Sequence, residues 1–222
     1  MRLGILLVLA VFLVSSAAAE DLGNPVTGEA QAAFLTTWGE RLRRMRSLHM
    51  VFTQEKQLRL LRQALVTQGE LWLKGETLLY VLTNTAGEKE LTVRLDKQTI
   101  KTYYPLLNTL EVIDFQTMGT LPQALPFWHS EPEVLTRDYE VALFLDATGL
   151  YTLRLVPKDT RVPLQEIRLG LRDFQPQEVV QVEKNGTHVR MHITTFTMNP
   201  EVSEAQIELQ VPAETKVVHP LK

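Results

Sequence analysis

His188 and His192 stand four residues apart, the spacing at which a helix turns two imidazoles toward one metal ion. They fall, however, in a segment that reads as a strand, where residues i and i+4 lie ~13 Å apart, so a shared ion is not expected. Asn185-Gly186-Thr187 has the form of a glycosylation acceptor, but Asn-Gly is also a hairpin signature, and the turn explains it better. The cationic run Arg41, Arg43, Arg44 and Arg46 could meet anionic headgroups or a transporter; the solvated end of a helix accounts for it more simply. No Gly-x-Ser-x-Gly, P-loop, dinucleotide fingerprint or His-Glu-x-x-His occurs. With no catalytic motif, metal set or cofactor motif, the expectation is a protein that holds something, not an enzyme.

Composition narrows this further. The chain has no cysteine, which excludes disulfides, thiolate zinc sites and a lipid-modified N-terminus. Its 23 basic and 26 acidic residues leave a net charge of −3, a poor basis for nonspecific nucleic-acid binding. Met1-Arg2, an apolar run from Leu3 to Val14 and Ser15-Ser16-Ala17-Ala18-Ala19 describe a cleavable export signal. Cleavage is expected between Ala19 and Glu20, since the apolar run falls short of the ~20 residues that span a bilayer. The remainder, residues 20–222, is long enough for one domain with a sizeable core.

Elements able to build such a holder follow in order. Glu20 to Gly28 reads as a flexible leader. Phe34, Trp38, Leu42 and Met45 share one face of a helix spanning Glu29 to about Ser47. Glu29 at its start and the arginines at its end suit the helix dipole. Strands are expected at Leu48–Lys56 and Leu65–Lys74. In the second, Leu71 and Leu73 face one way and Glu70, Trp72 and Lys74 the other. Further strands are read at Thr77–Thr83, Glu90–Asp96, Thr99–Tyr104 and Thr109–Asp114. Leu79 and Val81 are assigned to one face, and Trp72 and Tyr80 to the outer one. Gly119–Arg137, with Pro122, Pro126 and Pro132, is too interrupted for a strand and reads as short helices. Six more strands follow: Tyr139–Leu145, Leu150–Pro157, Leu164–Leu171, Glu178–Lys184, Thr187–Thr197 and Glu204–Val211. About eleven or twelve strands, mostly adjacent in sequence, describe an antiparallel meander. A sheet that wide curls toward an open barrel. Its apolar face must be covered, and the two helical segments are the covers at hand. Placed inside the curl, they would roof a pocket rather than fill a core.

Several segments also resemble a known family. Phe52-Thr53-Gln54 and Gly69-Glu70-Leu71-Trp72-Leu73-Lys74 are similar to the opening strands of LolA, the carrier of outer-membrane lipoproteins. Leu125-Pro126-Phe127 resembles that family's lid helix. Leu155-Val156-Pro157-Lys158 and Ile207-Glu208-Leu209-Gln210-Val211-Pro212 fall in family order. The resemblance implies a mainly β fold with some α: an incomplete antiparallel barrel whose N-terminal helix and short lid helices cover an apolar cavity. It implies a periplasmic carrier that shields acyl chains of lipoproteins, or a related lipid, between the inner and outer membranes. Its partners would be a lipoprotein-releasing ABC transporter and an outer-membrane receptor, with the carrier itself a monomer. A related possibility is a lipid- or lipoprotein-sensing module of envelope-stress regulation. On this reading Met50, Phe52, Leu71, Leu73, Leu79, Val81, Leu91 and Val93 line the cavity, and Leu121, Leu125, Phe127 and Trp128 form the lid. One departure stands out. Where the family reads Lys-Arg-Pro, with an arginine that helps hold the lid, this chain reads Lys74-Gly75-Glu76.

Overall fold

The computed structural model describes residues 22–114 and 132–220. A short strand β1 (Asn24–Val26) leads into helix α1 (Gly28–Arg43). Strands β2 (Ser47–Gln57), β3 (Leu65–Lys74), β4 (Thr77–Thr83), β5 (Lys89–Leu95), β6 (Thr99–Tyr104) and β7 (Thr109–Asp114) form a meander. After helix α2 (Pro132–Asp138), a second meander runs through β8 (Tyr139–Leu145), β9 (Tyr151–Pro157), β10 (Leu164–Arg172), β11 (Gln175–Glu183) and β12 (His188–Met198). The two meanders join where β12 pairs antiparallel with β2. One unclosed sheet of thirteen strands results, in the order β1-β8-β9-β10-β11-β12-β2-β3-β4-β5-β6-β7-β13. The last strand, β13 (Lys216–Val218), lies parallel to β7. Among the described residues no helix is long and apolar enough to cross a membrane.

Local chemistry explains the hairpins. Lys74 pairs with Thr77, so only Gly75 and Glu76 turn the chain. Gly75 has φ +58 while Glu76 stays in the ordinary negative region, the pattern of a turn with glycine at its first central position. The Asn185-Gly186 turn closes the β11–β12 hairpin, with the Glu183 N–H donating to the Thr187 carbonyl at 2.9 Å.

The core lies on one face of the curled sheet. Leu48, Met50, Phe52, Leu71, Leu73, Leu143, Leu153, Leu155, Ile167, Leu169 and Leu171 all point there and are buried. Phe34, Leu35 and Trp38 of α1 and Leu135 of α2 pack into the same cluster. Both helices therefore sit inside the curl, as the amphipathic spacing of α1 predicts.

Two expectations from sequence need correction. The segment read as a flexible leader contributes β1, which pairs with β8 through Asn24–Leu145 and Val26–Leu143; an unpaired sheet edge recruits whatever extended backbone lies beside it. The strand expected over Glu204–Val211 does not form. Ser203 and Gln206 cap each other and wind Glu204–Ile207 into one 3₁₀ turn. That turn packs on the outer face of β3 and β4, held by a Lys74–Glu204 ion pair at 2.6 Å. The chain reaches the sheet again only at β13.

Asn199 fastens this crossing. It adopts φ +57, and its side-chain oxygen accepts from the Arg46 N–H at 2.7 Å while its amide donates to the Arg44 carbonyl at 3.2 Å. Replacing it with Ala forfeits both bonds and leaves a Cβ residue in a left-handed conformation. Asn199→Ala is expected to cost about 2 kcal/mol, read as a lowered urea midpoint. Asn199→Gly should recover only the backbone part.

Candidate functional site

Strand register decides which side chains meet inside the curl. Met50 pairs with Leu71, Leu71 with Tyr80, and Tyr80 with Val93. One row further along, Phe52, Gly69, Leu82 and Leu91 are successive partners. Leu48, Leu73, Leu78, Leu95, Ile100 and Ile113 form a third row. Partners opposite one another share a face. Met50, Phe52, Leu71, Leu73, Leu91 and Val93 therefore lie together on the inner face.

Leu79 and Val81 do not join them. Leu79 pairs with Trp72 and Arg94, and Val81 with Glu70 and Thr92, which puts both on the outer face. Tyr80, expected outside, points in, and Trp72 points out. The cause is visible in Leu78-Leu79-Tyr80-Val81-Leu82: β4 is apolar on both faces, so its periodicity carries no sign. The two-residue turn at Gly75-Glu76 sets the sign instead. Counting pairs back from that turn would have found Tyr80 and Leu82. On the outer face, Leu79 lies on strand β4, against which the Glu204–Ile207 turn packs, and only 8% of it is exposed.

The inner face grades from sealed to open. Met50, Phe52, Leu71 and Leu73 are fully packed. Leu82, Leu91, Val93, Leu95, Ile100 and Ile113 are only half-buried. The helices account for the difference. On α1, Phe34 meets Tyr151 at a tilt and stacks on Phe174, with ring centroids 4.6 and 4.8 Å apart. Gln31 donates to the Val141 carbonyl at 3.1 Å, and the Arg41 guanidinium lies over the Phe174 ring while donating to the Asp173 carbonyl at 3.0 Å. All of these anchors are on β8, β9 and the β10–β11 turn. The helix thus seals that half of the curl and leaves the inner face of β4–β7 less covered.

At the boundary, the outer end of the Phe52 ring covers Gly69, where an added Cβ would come within 2.0 Å of the ring. Phe52 also stacks on Tyr80 at 5.6 Å. The Tyr80 hydroxyl donates to Gln54 at 3.2 Å, a polar handle in the row that continues beyond Val93 to Thr102 and Glu111. Burial holds the Tyr80 phenol well above its ordinary value. Burial, then the charge of Glu111, raises the Tyr104 phenol as well, and its hydroxyl donates to that carboxylate at 3.4 Å. Both phenols stay neutral across the physiological range, so neither should make ligand binding depend on pH there.

The remaining expected residues, Leu121, Leu125, Phe127 and Trp128, lie outside the described residues. The segment that contains them leaves β7 at Asp114 and re-enters at α2, beside β8. These two strands lie at opposite ends of the sheet order. Gly75, in the position of the family arginine, serves the β3–β4 turn and donates its N–H to the Arg46 carbonyl at 2.9 Å. On the outer face a groove of about 540 Å³ runs between the C-terminal segment and β5–β7, edged by Arg94, Lys101, Leu110 and Leu209. It is separated from the apolar interior by the sheet itself.

Known structures share this architecture. An uncharacterized conserved protein from Thermus thermophilus is similar over 85% of this chain and 99% of its own, with 12% identity and a TM-score of 0.52. MucB is similar over 86% of this chain and 66% of its own, with 21% identity and a TM-score of 0.50; the chain thus spans just under two thirds of MucB. No curated protein matches. The family model described as outer membrane lipoprotein carrier protein LolA matches residues 43–209. Three quarters of the sequence fit that model, and the unclosed sheet with helices packed inside its curl fits the same architecture: the chain belongs to the LolA family of outer membrane lipoprotein carrier proteins.

Proposed function

We propose that this protein carries the acyl chains of lipoproteins, or of a related lipid, through the periplasm on the inner face of β4–β7. The observation behind this is the half-buried apolar surface of Leu82, Leu91, Val93, Leu95, Ile100 and Ile113 beside a core that α1 seals on its other half. A methylene gains about 0.8 kcal/mol on leaving water, so an acyl chain of roughly 15 methylenes gains on the order of 12 kcal/mol. A free acylated protein in water is prohibitively unstable, and a dry surface solves that problem. Release needs a competitor for the same surface. Leu121, Leu125, Phe127 and Trp128 supply one if they cover the inner face when it is empty. A lipoprotein-releasing ABC transporter would load the carrier and an outer-membrane receptor would unload it. Native mass spectrometry of protein purified from the periplasm tests the proposal. Bound acylated species, or uptake of acylated cargo from micelles, is the expected result; absence of both sinks it.

A second reading, which the family resemblance of the sequence also implies, is a module that senses lipid or lipoprotein in envelope-stress regulation. It would use the same face but retain its ligand to signal rather than pass it on. Transfer of bound cargo to acceptor membranes or to a receptor separates the two.

A further inference from the structure

Most of the large apolar side chains left in solvent among the described residues gather at one end of the sheet. Leu60, Leu61, Leu65, Val66, Leu106 and Leu107 are all exposed, with Leu60 at 95%, Leu106 at 86% and Leu107 at 72%. Leu60 and Leu61 lie in the β2–β3 turn, Leu65 and Val66 at the adjoining start of β3, and Leu106 and Leu107 in the β6–β7 turn, while Val211 and Val217 are exposed elsewhere on the C-terminal segment. Register places these turns at the same end of the sheet: Lys56 pairs with Leu65, Thr83 with Lys89, Thr92 with Tyr103, and Tyr104 with Thr109. The β2–β3 and β6–β7 hairpins are centred four strand steps apart, so the two tips are separated by ~19 Å along the rim. Single exposed leucines are ordinary, but a cluster at one end of a molecule marks a contact surface.

The β2–β3 tip has a fixed shape and a definite charge. Gln57 donates from Nε2 to the Leu61 carbonyl at 2.7 Å, and the Leu61 N–H donates to the Leu58 carbonyl at 2.9 Å. Arg59, Leu60, Leu61 and Arg62 are all exposed on that turn. From Lys56 to Val66 there are three cations and no carboxylate, and neither Arg59 nor Arg62 has an ion pair or side-chain hydrogen bond among the described residues. In the β9–β10 turn at the same end Arg161 pairs with Asp159 at 2.8 Å, while the β4–β5 turn between the two tips carries Glu88, Lys89 and Glu90. The positive charge of this end is therefore concentrated on the β2–β3 tip, with Leu60 and Leu61.

We propose that this end of the sheet is a membrane-docking rim for an anionic lipid surface. Leu60, Leu61, Leu106 and Leu107 would enter the headgroup–acyl boundary while Arg59 and Arg62 meet lipid phosphates, their stems lying along the apolar layer. Two tips ~19 Å apart on one rim can meet a planar surface together, whereas a stable protein interface needs about 800 Å² from each partner. The inference stands on its own observations and does not require the carrier reading. If both hold, it brings the acyl-binding face to the bilayer surface.

Flotation of the exported, lipid-free protein with vesicles of phosphatidylcholine, with and without phosphatidylglycerol, tests it. The wild type should float with the phosphatidylglycerol vesicles, less so as salt rises. Leu60→Asp combined with Leu61→Asp, and separately Leu106→Asp combined with Leu107→Asp, should each lower binding about tenfold or more. Arg59→Ser with Arg62→Ser should lower it on the anionic vesicles only. All these side chains are solvent-exposed, so unchanged thermal unfolding is expected and confirms that the variants fold. Wild type that does not float, leucine variants that float like wild type, or leucine-dependent self-association in sedimentation without flotation would each overturn the proposal. Uptake of acylated cargo from micelles should be unchanged in the variants. A protein that docks but never takes up cargo contradicts the carrier reading alone.

Discussion

Leu91→Glu is expected to reduce uptake of an acylated cargo at least tenfold while leaving most of the fold's stability intact. Leu91 is half-buried on the inner face, opposite Leu82. A carboxylate there remains hydrated in the empty protein, and a bound acyl chain would have to strip that hydration. Tenfold corresponds to about 1.4 kcal/mol, a small part of what burying an ionised group in an apolar site costs. Leu79→Glu should do the opposite. Leu79 is almost fully buried on the outer face of β4, so a carboxylate there is stripped of water, and Arg94 opposite it is already paired with Asp96 and the Ile207 carbonyl. Destabilisation of about 3 kcal/mol or more is expected, with uptake per folded molecule unchanged. Urea unfolding and titration with a fluorescent acyl probe read the two effects separately. Loss of uptake in a fully stable Leu79→Glu protein would overturn the assignment of faces.

Phe52→Ala is expected to cost about 3–5 kcal/mol, a large share of a single domain's stability. Phe52 is 1% exposed, spans the backbone of Gly69 and stacks on Tyr80; Ala would leave a cavity across two strand pairs. Gly69→Ala destabilises from the other side. Its Cβ would sit 2.0 Å from the Phe52 ring, so the ring must move against packed neighbours, at a cost of about 1–3 kcal/mol. The two changes relieve each other, because with the ring gone the new methyl group has space. A double-mutant cycle by urea denaturation should therefore show coupling of roughly 1 kcal/mol or more. Additive effects would mean the ring does not rest on Gly69.

The success and the failure of the sequence reading both have local causes. In β3, Leu71 and Leu73 alternate with Glu70, Trp72 and Lys74, and the structure places the leucines in the core. One face of that strand is polar, so the period of two carries its own sign. In β4 the same reasoning chose Leu79 and Val81, and register places both outside. Both faces of β4 are apolar because both are covered, the inner one by the core and the outer one by the C-terminal segment. That cover is a contact more than a hundred residues away in sequence, seen in Arg94 donating to the Ile207 carbonyl at 3.2 Å. No window around β4 contains it.

What the sequence determined by itself is what short-range physics controls. Helix α1 follows from the spacing of Phe34, Trp38 and Leu42, though it stops at Arg43 rather than near Ser47 and leaves Met45 beyond its end. Most strand limits follow from β-rich runs between turn residues, and the β3–β4 hairpin follows from a glycine that tolerates φ +58. The tertiary structure alone decided the rest: β12 against β2, β1 and β13 as the sheet's edges, the 3₁₀ turn at Glu204–Ile207 in place of a strand, and which side of β4 faces inward. Each depends on backbone hydrogen bonds or apolar cover supplied by distant chain. Residues adjacent in sequence carry no record of those partners until the sheet has curled.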